Sequence, residues 1–387
     1  MSKNLFITSS IHLTDMRILQ LSTALPRSSY STEELIESFP CKLPEGVRQN
    51  IVNLGVSKRY LVDQPDRDSK TETVMSEEGL VDLCTEACEE TLHKAHVSVK
   101  DVGYFVAAYD VNPFLSPGLS QLLVPKLGLD PYVKHVNAQG IASTAFMKTL
   151  ELAKDHLATH PKDNVLLCIS GVSSYWFQNQ VRGLKDVMEI SQINSMSDKA
   201  KRELELRKWV ATMQFFLFGD GTAAAIVTGD DRGLTVKETA EVTNIAKKDY
   251  LVGYSRLSTL NAPFRFGFHS HLDKEIPRLG VAYTDLALKK LLGKNGEDTM
   301  KAAKKWAIHT GSGKILNALA EHHGIDGEKL KESHEVLKEC GNLAGASLPF
   351  ILERITSQSR FSDGDVVLMV GYGWGFSAAA SLLEYRK

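Results

Sequence analysis

Apolar residues fall in short blocks cut by glycine, proline and charged clusters, and the blocks alternate between strand-like runs and helical spacing. Residues 17–25 predict a strand closed by Pro26. Ser31-Thr32-Glu33-Glu34 has the capping-box pattern and predicts a short helix through Phe39. Residues 51–62, with Gly55, read as a helix end and a loop. Residues 77–94 predict a helix whose apolar side carries Leu80, Leu83, Cys84, Ala87 and Leu92. A buried strand over 102–108, a proline-bounded loop over 113–117 and a helix over 118–127 follow. An extended segment over 131–136 leads to Ser143 and a helix through Leu150 and Leu152. Residues 164–171 then predict another buried strand.

Residues 198–209 are charged and helical. Glu203 and Arg207 stand four apart, which suits a lid or partner helix or, more simply, a solvated face. Phe218-Gly219-Asp220-Gly221-Thr222 leads into a strand over 223–228. The turn 229–233 starts a new strand at Leu234, and the halves 1–234 and 235–387 are divided there. Helices over 284–292, 315–322 and 344–355, a strand ending at His309 and a glycine-rich hairpin complete the chain. The blocks 164–171 and 365–371 resemble each other, a hint of internal duplication. Strands alternating with helices in both halves predict an α/β architecture.

Length and composition narrow the function. The chain has 387 residues, enough for two core-forming halves, and 43% hydrophobic and 24% charged residues are ordinary for a globular enzyme. A net charge of −2 gives no reason to expect nucleic acid or an anionic membrane as partner. The five cysteines include no C-x-x-C pair and no His/Cys cluster at metal spacing, so no metal is expected. With reduced thiols and no apolar run behind a basic head in residues 1–13, the expected setting is cytoplasmic. Residues 366–383 carry no charge over 18 positions, but Gly371, Gly373 and Gly375 interrupt them. Two buried strands around a turn fit better than a membrane span.

Three positions share a design: a polar side chain at a strand end or turn, followed by small residues and a helix. They are Ser143, His309 and Asn342. Together they would supply a nucleophile, a base and an oxyanion donor. Separately, Ser143 and Asn342 are equally readable as helix caps, and His309 as a satisfied histidine beside a turn. The run Gly371-Tyr-Gly-Trp-Gly375 lacks the helix and distal acidic residue of a dinucleotide site. It reads instead as a turn bringing backbone to an active site through Gly373.

The sequence resembles the thiolase superfamily, and within it the type III polyketide synthases (chalcone-synthase-like) and ketoacyl-acyl-carrier-protein synthase III. The resemblance covers nearly the whole chain. It rests on Leu127-Gly-Leu-Asp-Pro-Tyr-Val-Lys134, Leu152-Ala-Lys-Asp155, Leu217-Phe-Gly-Asp-Gly-Thr-Ala-Ala-Ala225, His271-Leu-Asp-Lys-Glu-Ile-Pro277, His309-Thr-Gly-Ser-Gly313, Gly341-Asn342 and Gly371-Tyr-Gly-Trp-Gly375. It implies a five-layered αβαβα fold of two similar halves, a homodimer, coenzyme A or carrier-protein thioesters as substrates, and no permanently bound cofactor. The family's histidine falls on His309 and its asparagine on Asn342. The family's acyl-accepting cysteine, counted without gaps from either flank, falls on Ser143. Two further departures are Trp374, where the family usually carries Pro or Gly, and Ser270, where it places a gating phenylalanine. Trp176, Phe177 and Phe268 are the rings available for that role. Lys58, Arg59 and Lys314 are the candidate contacts for a coenzyme A phosphate.

A serine changes the chemistry. A thiol of pKa about 8.5 can be held as thiolate by a helix N-terminus and a histidine, whereas a hydroxyl must lose its proton during attack. Three expectations follow. The first is a condensing acyltransferase that passes an acyl group through Ser143 to a malonyl-derived enolate. The second is a malonyl-thioester decarboxylase, or a direct condensation, that needs no acyl-enzyme. The third is a non-catalytic partner in a heteromeric synthase.

Overall fold

The computed structural model describes residues 16–62, 77–112, 114, 116–229, 233–257 and 268–386. Strand β1 (Met16–Ala24) is followed by a short pair, β2 (Ser29–Ser31) and β3 (Lys58–Tyr60), with α1 (Thr32–Ser38) and α2 (Glu45–Val52) between them. The capping box at Ser31 and Glu34 forms as expected. Then come α3 (Glu77–Ala95), β4 (Val102–Tyr109), α4 (Leu119–Leu127), β5 (Lys134–Gln139), α5 (Ala145–Thr159), β6 (Asn164–Ser170), α6 (Ser174–Val181), α7 (Ile190–Ser195), α8 (Lys199–Leu217) and β7 (Thr222–Thr228). The second half runs β8 (Leu234–Thr243), β9 (Gly253–Leu257), β10 (Phe268–Leu272), α9 (Ile276–Leu292), α10 (Gly296–Ala302), β11 (Lys305–Ile308), α11 (Gly313–His323), α12 (Lys331–Cys340), α13 (Ser347–Gln358), β12 (Val366–Gly373) and β13 (Ser377–Tyr385).

Among the described residues the large sheet has the order β11-β12-β13-β8-β1-β7-β6-β4-β5. Its two arms repeat one plan. In one arm β4 and β6 are parallel, β6 and β7 antiparallel, and β7 and β1 antiparallel; in the other β11, β12, β13 and β8 follow the same succession. The similar blocks noticed in the sequence are β6 and β12, which hold equivalent places. A seam of three residue pairs, 16–18 of β1 against 234–236 of β8, joins the arms.

Helices α5 and α13 lie between the arms. Phe146, Met147 and Leu150 of α5 share one core with Val106, Val165 and Leu167 of the first arm, and with Ile351, Val367 and Met369 of the second half. On the outer face of the first arm, α3 and α4 cover Phe105, Leu166 and Ile226. On the outer face of the second, α9 and α11 cover Trp306, Leu368 and Val370. The result is the five-layered αβαβα stack of two similar halves.

The charged helix is longer than the sequence pattern suggested. Its first part is largely solvent-facing and holds the Glu203–Arg207 pair, while Val210 to Leu217 are buried on every side. Among the described residues, no helix is long and apolar enough to cross a membrane, and residues 366–383 form the expected strand pair.

Candidate active site

Strand β5 is followed by Gly140, whose φ of 74° suits glycine, and Ala142 also takes a positive φ of 45°. This turns the chain into a 3-10 segment, Ala142–Thr144, directly before α5. Ser143 is 6% exposed within that segment and does not cap the helix; Thr144 holds the cap position. The Ser143 Oγ instead lies 2.8 Å from Nε2 of His309. The cap reading is therefore replaced by a serine–histidine contact across the interlayer.

His309 follows β11, and its N–H donates to the Val370 carbonyl at 2.9 Å, completing the last β11–β12 pair, Ile308 with Val370. The ring is 2% exposed and packs edge-on to Tyr372, 5.4 Å between centroids. Burial lowers the imidazole to about 3, so it is neutral at ordinary pH. Its Nδ1 has no hydrogen-bond partner among the described residues, which sets His309 apart from a fully satisfied core histidine.

Asn342 is 5% exposed. Its main chain is fixed on both sides: its N–H donates to the Leu217 carbonyl at 2.9 Å, and its carbonyl accepts from Gly219 at 3.1 Å. The side-chain Oδ1 accepts from Ala344 N–H at 2.8 Å. This local turn is cap-like, and it orients the amide so that Nδ2 is left to donate elsewhere.

Two glycines of β12 let these parts converge. A Cβ at Gly371 would sit 2.6 Å from the Ser143 carbonyl, and one at Gly373 would sit 2.9 Å from the Ala142 Cβ and 3.1 Å from Ser143 N. A Cβ at Gly345, just after Asn342, would meet Ala145 at 2.9 Å and the Ala142 carbonyl at 3.2 Å. The Ser143 turn, the Asn342 turn and the glycine strand are thus stacked in close contact.

Three supports escape a reading of the sequence. Asp110, at the end of β4, accepts from Ala142 N–H at 3.3 Å, and burial pushes its carboxyl up to about 6. Thr310 donates to Ser347 Oγ at 2.8 Å, and that oxygen also accepts from Leu343 N–H at 3.0 Å. Ser347 therefore ties the residue after His309 to the residue after Asn342. No sequence motif marks these groups, because each acts through backbone or through a distant hydroxyl.

The other expected site residues divide. Phe177 stacks on Phe218 with centroids 4.4 Å apart, and Phe218 lies 6.4 Å from Trp374. Phe218 also bridges to Asn342, so this row of rings borders the site. Trp176 turns the other way and packs against the outer core with α3 and α4. Ser270 is buried and bonds Ser255 Oγ at 2.7 Å, with Gln180 Nε2 at 3.5 Å. Phe268 begins β10, and its side chain lies outside the described residues.

Arg59 requires a correction. It is 0% exposed and donates from Nη2 to Thr32 Oγ1 at 2.9 Å, and its guanidinium lies over Phe216. Burial lowers it to about 9, and it is sealed from any phosphate in solution. Lys58 is accessible, with Nζ 4.5 Å from the Tyr60 ring centroid, and Lys314 is exposed in the first turn of α11. Gly313 N–H donates to the Leu54 carbonyl, which brings the segments carrying these two lysines side by side.

Known proteins supply the context. The family described as 3-oxoacyl-[acyl-carrier-protein (ACP)] synthase III C terminal matches residues 299–385. The 3,5-dihydroxyphenylacetyl-CoA synthase of Amycolatopsis orientalis is 24% identical over 381 residues, covering 95% of this chain and 93% of the relative. The solved 1,3,6,8-tetrahydroxynaphthalene synthase of Streptomyces coelicolor, a bacterial type III polyketide synthase, superposes with a TM-score of 0.73 at 21% identity over 96% of this chain and 99% of that one. A Cys-to-Ser variant of Xanthomonas campestris OleA, solved with lauric acid and lauroyl-CoA, gives 0.71 at 16% identity over 96% of this chain and 100% of that one. The fold is the thiolase fold, and over nearly its whole length the chain is similar to the thiolase-like type III polyketide synthases.

Proposed function

We propose that the protein is a condensing acyltransferase acting on acyl and malonyl thioesters, with Ser143 as acyl acceptor, in polyketide or fatty-acid-like biosynthesis. The observation that carries this reading is the 2.8 Å contact between Ser143 Oγ and Nε2 of a neutral, buried His309. The Ser143 hydroxyl attacks the thioester carbonyl while His309 Nε2 takes its proton. The tetrahedral carbon then expels the thiolate, which recovers that proton, leaving an ester on Ser143. A malonyl thioester next loses CO2, and the electron pair of the broken C–C bond becomes an enolate held by Asn342 Nδ2 and the imidazole. The enolate carbon attacks the ester carbonyl, and the Ser143 alkoxide leaves and takes a proton from water, relayed by His309. Coenzyme A thioesters are the favoured donors, with Lys58 and Lys314 on neighbouring segments as the cations to meet a phosphate; an acyl carrier protein is the other carrier of the same thioester chemistry. Strand β5 forms an edge of the large sheet and is accessible along its length, which suits pairing with a second copy in a homodimer.

One observation favours a second reading. His309 Nδ1 lacks an acceptor among the described residues, so the imidazolium formed when Ser143 is deprotonated has no carboxylate there to offset its burial. A neutral imidazole and an amide suffice to hold an enolate, and decarboxylation without an acyl-enzyme uses only these. Incubation with a short acyl-CoA followed by peptide mass spectrometry separates the two readings. An acyl mass on the Ser143 peptide, lost in Ser143→Ala together with condensation, is the expected result. No adduct, with equal turnover by Ser143→Ala, overturns the acyl-serine route; CO2 release from malonyl-CoA would then stand alone.

A further inference from the structure

A second cluster of ligating side chains lies on the outer layer of the second half, at the far end of α11 from the loop that carries His309. His322 and His323 are the last two residues of α11, which ends at Gly324 in the left-handed conformation. Asp285 faces them from α9. One ligating atom from each of the three residues falls within 4.8 Å of the others. Asp285 Oδ1 lies 3.8 Å from His322 Nε2, too far for a hydrogen bond. Its other oxygen, Oδ2, already holds Lys289 Nζ at 2.7 Å, so the lysine leaves Oδ1 unclaimed.

The histidines are disposed to ligate. His323 Nε2 is buried with no hydrogen-bond partner among the described residues, and Trp306 covers one face of that ring at 6.2 Å. The two imidazoles are adjacent and nearly perpendicular, 82° apart with centroids 4.7 Å apart. The carbonyl end of the α11 dipole adds negative potential that favours a cation.

We propose that Asp285, His322 and His323 bind one divalent cation of the Zn2+ class, through Asp285 Oδ1 and one ring nitrogen from each histidine, with water as fourth ligand. Two imidazoles and one carboxylate form a borderline nitrogen/oxygen donor set with a position left open, which suits Zn2+ over Mg2+ or Ca2+. The ligating atoms, within 4.8 Å of one another, draw together for bonds of about 2.0–2.2 Å, and His322 is exposed and so free to move. The bound ion would pin the end of α11 to α9. Its role is structural, because about 15 Å of helix separates it from the His309 loop.

The test is calorimetric titration of metal-freed, full-length protein with Zn2+, together with the melting temperature with and without the ion. One equivalent should bind and raise the melting temperature. Asp285→Asn and His322→Ala, both at accessible positions, should each weaken binding by at least about tenfold, by more than loss of a residue outside the ligand set would. His160→Ala, on another surface, should leave binding unchanged. Co2+ in place of Zn2+ should give the visible absorption of a four-coordinate site in the wild type and not in the Asp285→Asn/His322→Ala double variant. Absence of Zn2+ binding by the wild type, or equal affinity in the correctly folded double variant, would overturn the assignment.

Discussion

The turn before α5 and the turn before α13 are the same backbone device put to different uses. Each has an alanine at positive φ, Ala142 at 45° and Ala344 at 47°, a 3-10 segment, and a helix of the central layer behind it. Each is also met by a glycine in, or just after, a strand of the opposite half. Gly371 faces the Ser143 carbonyl, and Gly171 faces the Leu343 carbonyl. The difference lies in what the turn presents. The first puts a hydroxyl, Ser143, in the middle of its 3-10 segment. The second has Gly345 at the matching place and offers Asn342 from its leading edge. A side chain at Gly345 would collide with the first turn, so one turn can carry a central reactive group only if the other stays bare. The repeated plan offers two potential sites, and packing allows a single shared one.

The largest expected effect comes from the glycine contacts. In Gly171→Ala the new Cβ would lie 2.0 Å from the Leu343 carbonyl, a backbone atom that cannot rotate aside. Chemical denaturation should show a loss of about 3 kcal/mol or more, larger than for Gly371→Ala, whose nearest atom is at 2.6 Å. Gly345→Ala tests the bare turn itself. Its contacts at 2.9 and 3.2 Å predict about 1–3 kcal/mol of destabilisation and a fall in condensing activity as the turns separate.

Ser347→Ala removes the oxygen shared by Thr310 and Leu343 N–H. About 1–3 kcal/mol should be lost, since both donors are left buried. Turnover should fall more than substrate affinity, while Thr310→Val, which leaves the Leu343 bond intact, should cost less. At pH 7 the smallest effect is that of the buried imidazole, and it grows only as the solution is acidified. Buried His309 titrates near 3 in the folded protein against about 6.5 when unfolded. Below 6.5 the unfolded chain binds the extra proton, so stability falls as pH drops toward 3. His309→Gln should flatten the dependence of unfolding free energy on pH in that window, by up to about 1.4 kcal/mol per pH unit. An unchanged slope would mean that the ring is not desolvated.

The architecture is readable where burial writes a pattern. The strand blocks at β4, β6, β7 and β12 are runs of small and branched apolar residues covered on both faces, and α3 keeps one apolar stripe. The pattern is silent where burial is uniform or sparse. The last two turns of α8 are buried all round and so show no stripe. In α12 mainly Val336, Leu337 and Cys340 supply the apolar anchorage, with charged residues between. Strands β9 and β10 carry arginine and histidines and give no strand signal. At the site, Ser143 and His309 are 166 residues apart, and no local spacing can disclose their contact. The resemblance to a family points to them; the turns explain how they meet. Arg59 misleads because an arginine is ordinarily a surface residue, and only the packing of Thr32 and Phe216 around it removes it from solvent.

The three-pair seam between β1 and β8 carries a consequence for how the molecule comes apart. It is too short to hold two independent bodies together, yet α5 and α13 each depend on walls from both arms. A polypeptide cut near residue 234 would leave each fragment with an uncovered greasy face, so the pieces should be insoluble alone and regain order only when mixed. Heat or denaturant should therefore melt the protein in one step, despite the repeated plan of its two parts.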